Sequence, residues 1–171
     1  MGELFNLTDD IRDKMTAGFN DLLNFLGRSC TLYYPPIQEL CDNCIYDPIG
    51  NKSSNKWLHG GPMPFDFGMC PVCGGVGTRA ISQTENITMQ FNFNAAQWKK
   101  MPIPNIQLVD GLVLSKGLIG DYPKVRNSIY MEAALDLNNL VNLRYQLYGE
   151  PLDVYSICRG KYFVTFWKRI G

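Results

Sequence analysis

Along residues 86–94, NITMQFNFN, apolar and polar side chains alternate without a break. Ile87, Met89, Phe91 and Phe93 stand against Thr88, Gln90, Asn92 and Asn94. A period of two belongs to a strand with one face buried and one wet. The same rhythm returns in LVNLRYQLYGEP, where Val141, Leu143, Tyr145 and Leu147 alternate with Asn142, Arg144, Gln146 and Tyr148. SCTLYYPP (29–36) is a β-rich run stopped by two prolines, and NSIYMEAA reads as another strand. NIQLVDGLVLSKGLIG predicts two short strands meeting at Asp110–Gly111, and AAQWKK one helical turn. The final run, PLDVYSICRGKYFVTFWKRIG, reads as a hairpin turning near Arg159–Gly160.

The first thirty residues have a different period. Ile11, Met15, Phe19, Leu22, Leu23 and Leu26 recur at helical spacing, so the spacing predicts an N-terminal helix. Thr8 is placed to cap it, Asp9 and Asp10 suit its positive end, and Gly27 can end it. The stripe is expected to cover the body of the domain; the sharper alternative is that it docks on a neighbouring subunit. Short strands with frequent turn signals after one helix predict a mainly β chain, a small antiparallel β-barrel or sandwich.

The pattern fails between the first strand and residue 80. CDNCIYDPIGNKSSNKWLHGGPMPFDFGMCPVCGGVG holds two Cys-x-x-Cys pairs, Cys41/Cys44 and Cys70/Cys73, with 25 residues between them. Two residues between thiolates let a tight knuckle aim both sulfurs at one ion, and two knuckles complete a tetrahedral four-thiolate zinc site. Gly74, Gly75 and Gly77 permit positive φ, so backbone N–H groups can turn back towards the sulfurs. A disulfide framework would need an oxidising compartment, and a thioredoxin-like pair a βαβ context. His59 can replace a cysteine but reads more simply as a solvated side chain. Cys30 and Cys158 stand in apolar runs, as buried thiols do. A closed four-cysteine site has no position left for substrate, so the zinc is structural. The expected organisation is a barrel body at 1–38 and 80–171, with residues 39–79 inserted as a zinc-knuckle segment whose GNKSSNK run forms a mobile tip.

Composition narrows the function. Hydrophobic residues make up 46% of 171 residues, enough for one core. Sixteen basic residues balance sixteen acidic ones, so the excess cation that drives non-specific nucleic-acid binding is missing. No apolar run approaches the roughly 20 residues that span a bilayer. The opening MGELFNLTDDIRDKM has no apolar signal core, and Asn6 replaces the Ser or Thr of a myristoylation signal, so a soluble protein made in the cytoplasm is expected. No nucleophile elbow, Walker loop, GxGxxG or HExxH motif occurs, and the scattered carboxylates suit helix starts and turns, so no enzyme is expected.

Two resemblances follow from these residues. CPVCGGVG resembles the CxxCxGxG repeat of the DnaJ-type chaperone zinc domain, but CDNCIYDP departs from it after the cysteines. More extensively, a helix running into LLNFLGRSCTLYYPP, a later GLIGDYPKVRNSIYMEAA segment and a closing strand pair resemble the head-closure (head-completion or stopper) proteins of tailed bacteriophages. That resemblance covers about residues 11–37 and 106–171 and leaves the zinc insertion outside it. It implies a virion protein of the phage neck. Identical subunits would form a ring between the portal or adaptor and the tail, closing a channel through which DNA passes without sequence-specific contact. The alternatives are a zinc-ribbon adaptor for protein or nucleic acid, or a neighbouring connector of the same particle. Ring subunits need two different faces for their neighbours. In the insertion, Trp57, Met63, Phe65 and Phe67 are the candidate interface residues, the alternative being that they pack on the knuckle or the barrel end.

Overall fold

A computed structural model describes residues 8–94, 111–133, 142–153 and 161–170. Helix α1 (Asp9–Leu26) leads into strand β1 (Arg28–Tyr33). Four short strands follow: β2 (Ile37–Leu40), β3 (Cys44–Asp47), β4 (Lys52–Trp57) and β5 (Thr78–Ile81). The chain then forms β6 (Thr84–Asn92), β7 (Leu112–Leu118), a 3-10 turn at Ile119–Asp121, and the short helix α2 (Tyr122–Asn127). Strands β8 (Tyr130–Ala133), β9 (Leu143–Asp153) and β10 (Tyr162–Ile170) complete it. Two units result, Met1–Tyr34 with Thr84–Gly171, and Pro35–Gln83. The second is longer at both ends than the expected 39–79 insertion, because β2 pairs with β5 outside the cysteines.

The first unit is a closed antiparallel barrel in the order β1-β6-β7-β10-β9-β8, with β8 returning to β1. The period-two pattern sets its interior. Cys30 and Leu32, Ile87 and Met89, Met131 and Ala133, Tyr145, Phe163 and Trp167 point inwards and are buried. Each such large side chain contributes about 1.5–3 kcal/mol by leaving water. Trp167 keeps its polar atom satisfied by donating from Nε1 to Ser115 Oγ at 2.8 Å. The Cys30 thiol is pushed up to about 12 by burial, so it behaves as an inert apolar group, as expected of it. Outside the wall, Tyr33 stacks on Tyr130 at 4.4 Å and donates to Glu132, which also accepts from Arg144.

Several elements differ from the sequence reading. The runs read as one strand ending at Pro151 and a hairpin starting there are joined: β9 runs on to Asp153 through a bulge. There Gly149, Glu150 and Pro151 oppose the single residue Thr165, and Gly149 has φ 77°. A bulge leaves a residue unpaired, which is where a strand tolerates proline. Helix α2 occupies the stretch just before NSIYMEAA, to which the sequence pattern assigns no element, with Pro123 in its first turn. The GNKSSNK tip is not a free loop; most of it is β4, with Ser53 buried. The first arm of the Asp110–Gly111 hairpin, the AAQWKK turn, Cys158 and the Arg159–Gly160 turn lie outside the described residues.

The helix holds the largest surprise. It ends at Leu26 as expected, and Gly27 is required there because a Cβ would lie 2.1 Å from the Leu23 carbonyl oxygen. Yet the apolar stripe covers the barrel only in part. Leu23 is buried together with Thr16, Met15 and Phe19 are half-buried, and Ile11, Leu22 and Leu26 stay exposed. The helix lies against outward-facing positions of the wall that include Lys116 and Tyr162. The Tyr162 hydroxyl donates towards the Thr16 carbonyl (3.0 Å) and Asn20 Oδ1 (2.7 Å), and Lys116 reaches over the Phe19 ring.

Gly117 faces Phe163 across the β7–β10 ladder, and a Cβ there would sit 2.6 Å from the ring. Phe163 is fully buried and cannot swing out. Gly117→Ala should therefore cost about 1–3 kcal/mol, seen as a lower urea midpoint with an unchanged slope. An unchanged midpoint would show that the ring has room to move.

Candidate metal centre

The second unit is built from two hairpin-like pairs, β2 with β5 and β3 with β4. Pairing of Leu40 with Thr78 brings the first knuckle beside the end of the second, where Cys41 N–H donates to the Gly77 carbonyl at 3.0 Å. The second knuckle turns on itself through Gly74 N–H to Cys70 O (2.8 Å) and Val76 N–H to Cys73 O (3.2 Å). Gly74, Gly75 and Gly77 all have positive φ, at 61°, 87° and 84°. At Gly77 a side chain would also strike the Lys52–Ser53 backbone at 2.6 Å. That freedom aims Gly77 N–H at Cys73 Sγ, 3.2 Å away, the turn-back the glycines were expected to allow.

All four predicted sulfurs converge, each within 4.8 Å of the others. Cys41 and Cys70 are 3.9 Å apart, Cys44 and Cys73 3.7 Å. A disulfide needs about 2.05 Å, so these are not bonded pairs. Four sulfurs at about 2.3 Å from a tetrahedral ion lie about 3.8 Å from one another. The cluster has the dimensions of a tetrahedral thiolate cage. Three of the cysteines are buried and Cys73 is half-buried.

The surroundings also suit thiolates. Burial opposes ionisation of Cys70, but the Asn43 amide, the N–H groups of Cys73 and Val72 and the Cys73 thiol together take it below the usual thiol range. Burial dominates at Cys41 and Cys44 and pushes both up. Ionisation is thus favoured at Cys70 and opposed at Cys41 and Cys44, and a cation is the physical means of ionising such a cluster.

The sequence reading missed Asn43, a polar residue between the first two ligands. It is fully buried. Its Oδ1 accepts from Met63 N–H (2.7 Å), and Nδ2 donates to Met63 O (2.9 Å) and towards Cys70 Sγ (3.5 Å). Its own carbonyl accepts from Leu58 N–H at 3.1 Å. One side chain therefore ties the loop after β4 to the sulfur cluster. Of the four interface candidates, Phe65 packs on the cysteine cluster and Trp57 is half-buried opposite Cys44. Met63 is exposed and Phe67 is 95% exposed. His59 is exposed beside the Trp57 ring, outside the sulfur cluster.

No family model, no curated protein and no solved structure matches the chain. No helix among the described residues is long and apolar enough to cross a membrane.

Among the described residues the unit's only apolar cluster is the cysteines with Phe65 and Val72. Protein purified without chelator should hold about one metal ion per chain, and Cys41→Ser should lose it. Chelation should raise hydrogen exchange throughout 35–83 while the barrel amides stay protected. Full protection in metal-free, reduced protein would overturn the metal centre. Separately, Asn43→Asp removes the donor to Cys70 and sets a carboxylate against thiolates. It should weaken metal binding by about tenfold or more, whereas Asn43→Ala should mainly speed exchange at Met63, whose N–H loses its acceptor. Equal affinity in both variants and the parent protein would deny Asn43 any part in the centre.

Proposed function

We propose that the ion is zinc and that the chain is a structural subunit of a tailed-phage neck, assembling as a head-closure ring between portal or adaptor and tail. One observation carries the neck reading. The two stretches that bear the resemblance, LLNFLGRSCTLYYPP (22–36) and GLIGDYPKVRNSIYMEAA (117–134), are separated by 80 residues. Nevertheless β1 and β8 are paired neighbours, and Ile129 N–H donates to Tyr33 O at 2.7 Å. A motif pair that merges into one structural unit supports a shared architecture better than either motif alone. Zinc is favoured because an all-thiolate tetrahedral cage suits a borderline-soft ion without geometric preference of its own.

In this reading the metal stiffens a contact surface. Met63, Phe67 and Met69 stand exposed on a loop tied by Asn43, and bulky groups on a fixed scaffold lose little entropy when a partner covers them. A zinc-ribbon adaptor for nucleic acid is less well supported. The unit offers Lys52, Lys56 and Arg79, and Arg79 already lies 3.7 Å from Asp42.

Electron microscopy of the particle should locate the chain at the neck, and a particle without it overturns the reading. Phe67→Ser should impair head-to-tail joining at unchanged metal content, since its ring touches water. Phe65→Ser, by contrast, should disturb the metal centre. Normal joining with Phe67→Ser would remove the loop from the contact.

A further inference from the structure

The exposed side of α1 has a finer pattern than a generic apolar stripe. Ile11, Met15, Gly18, Leu22 and Phe25 are spaced four, three, four and three residues apart. That is the seam of a two-stranded coiled coil, read as the d and a positions of successive heptads. Only Met15 along it is half-buried; the other four positions are exposed. Thr16 and Leu23, the buried residues, each follow a seam residue by one position, which turns them about 100° away. Ile11 and Leu22 are exposed, Phe25 is 85% exposed, and an atom added at Gly18 would meet nothing within 4 Å.

We infer that α1 pairs with α1 of a second copy of this chain, antiparallel and about a two-fold axis. The seam is self-complementary in one register. Ile11 meets Leu22 of the second copy and Met15 meets its Gly18, so the long flexible thioether fills the gap the missing side chain leaves. The flanking charges agree. Lys14 and Asp21 occupy equivalent g positions of successive heptads, and antiparallel helices bring g positions together. Each copy's Lys14 then faces the other's Asp21, twice over by symmetry. A parallel pair would set g against e instead, placing Lys14 opposite Phe19 and Asp21 opposite Leu26, so neither charge would find a partner. Lys14 now bonds Asp10 at 2.7 Å, but both are exposed and such a pair is weak, so the lysine can change partner.

Two heptads fall short of the three to four that sustain an independent coiled coil, so the dimer is weak and reversible. It does not depend on the neck reading. A two-fold contact closes on itself and cannot propagate round a ring, so the pair is a form of the free protein.

Sedimentation equilibrium of the full chain, reduced and metal-loaded, tests this over a range of concentrations. A monomer–dimer equilibrium is expected, with Leu22→Asp monomeric throughout at unchanged helix content and metal loading. Lys14→Asp and Asp21→Lys should each raise the dissociation constant by about tenfold or more, and the Lys14→Asp/Asp21→Lys double variant should restore it. A parent chain that stays monomeric up to millimolar concentration overturns the inference, as does a dimer indifferent to Leu22→Asp. Failure of the double variant to recover association overturns it equally, because the antiparallel register requires that rescue.

Discussion

Strand β1 is hydrogen-bonded along both edges, to β6 on one side and to β8 on the other. Its six residues, Arg28–Tyr33, are the point at which the sheet becomes a barrel. Closure removes both free edges, which is the most complete answer a β protein has to unwanted edge pairing. It also concentrates the interior. Cys30 and Leu32 touch water hardly at all because strands from three distant parts of the sequence surround them. At the end of the same strand Tyr33 carries the stacked and charged group that links β8 and β9 outside the wall. The position of α1, one residue upstream of this strand, follows from where β1 must enter.

The second unit solves its stability problem by other means. A segment of 49 residues (35–83) with two short strand pairs is smaller than a chain that normally builds a sufficient core by itself. Sulfur atoms occupy the centre that leucines and phenylalanines occupy in the barrel. The polar Asn43 is tolerated at full burial because each of its amide atoms has a partner. The unit therefore combines a rigid centre with an unusually apolar exterior, since side chains not needed inside can be displayed.

What could be read in the sequence, and what could not, divides along the range of the forces involved. Strands β6 and β9 were legible because inward and outward positions differ over many residues, and the sulfur cage because CxxC spacing is itself a local geometry. Helix α2 was not legible: six residues give too short a run for any period, and Pro123 speaks equally for a turn. The merging of β9 across Pro151 was hidden because a bulge is decided by the partner strand. Asn43 had no signal, since its partners Met63 and Cys70 lie twenty and twenty-seven residues away. The orientation of α1 depended on the outside of the barrel wall, which pattern reading treats as featureless.

The pairing of β1 also has a consequence in time. A ribosome releases the chain from its N-terminus, and segments fold as their partners emerge. Every strand pairing of the second unit lies within residues 37–81, so its four sulfurs can be brought together while most of the barrel is still untranslated. Strand β1, made earlier, has to wait for β6 and then for β8, and α1 waits longer still for Tyr162. The nascent protein thus matures from its middle outwards. The four knuckle thiols are gathered first, Cys30 only with the barrel, and helix α1 is among the last parts to find its place.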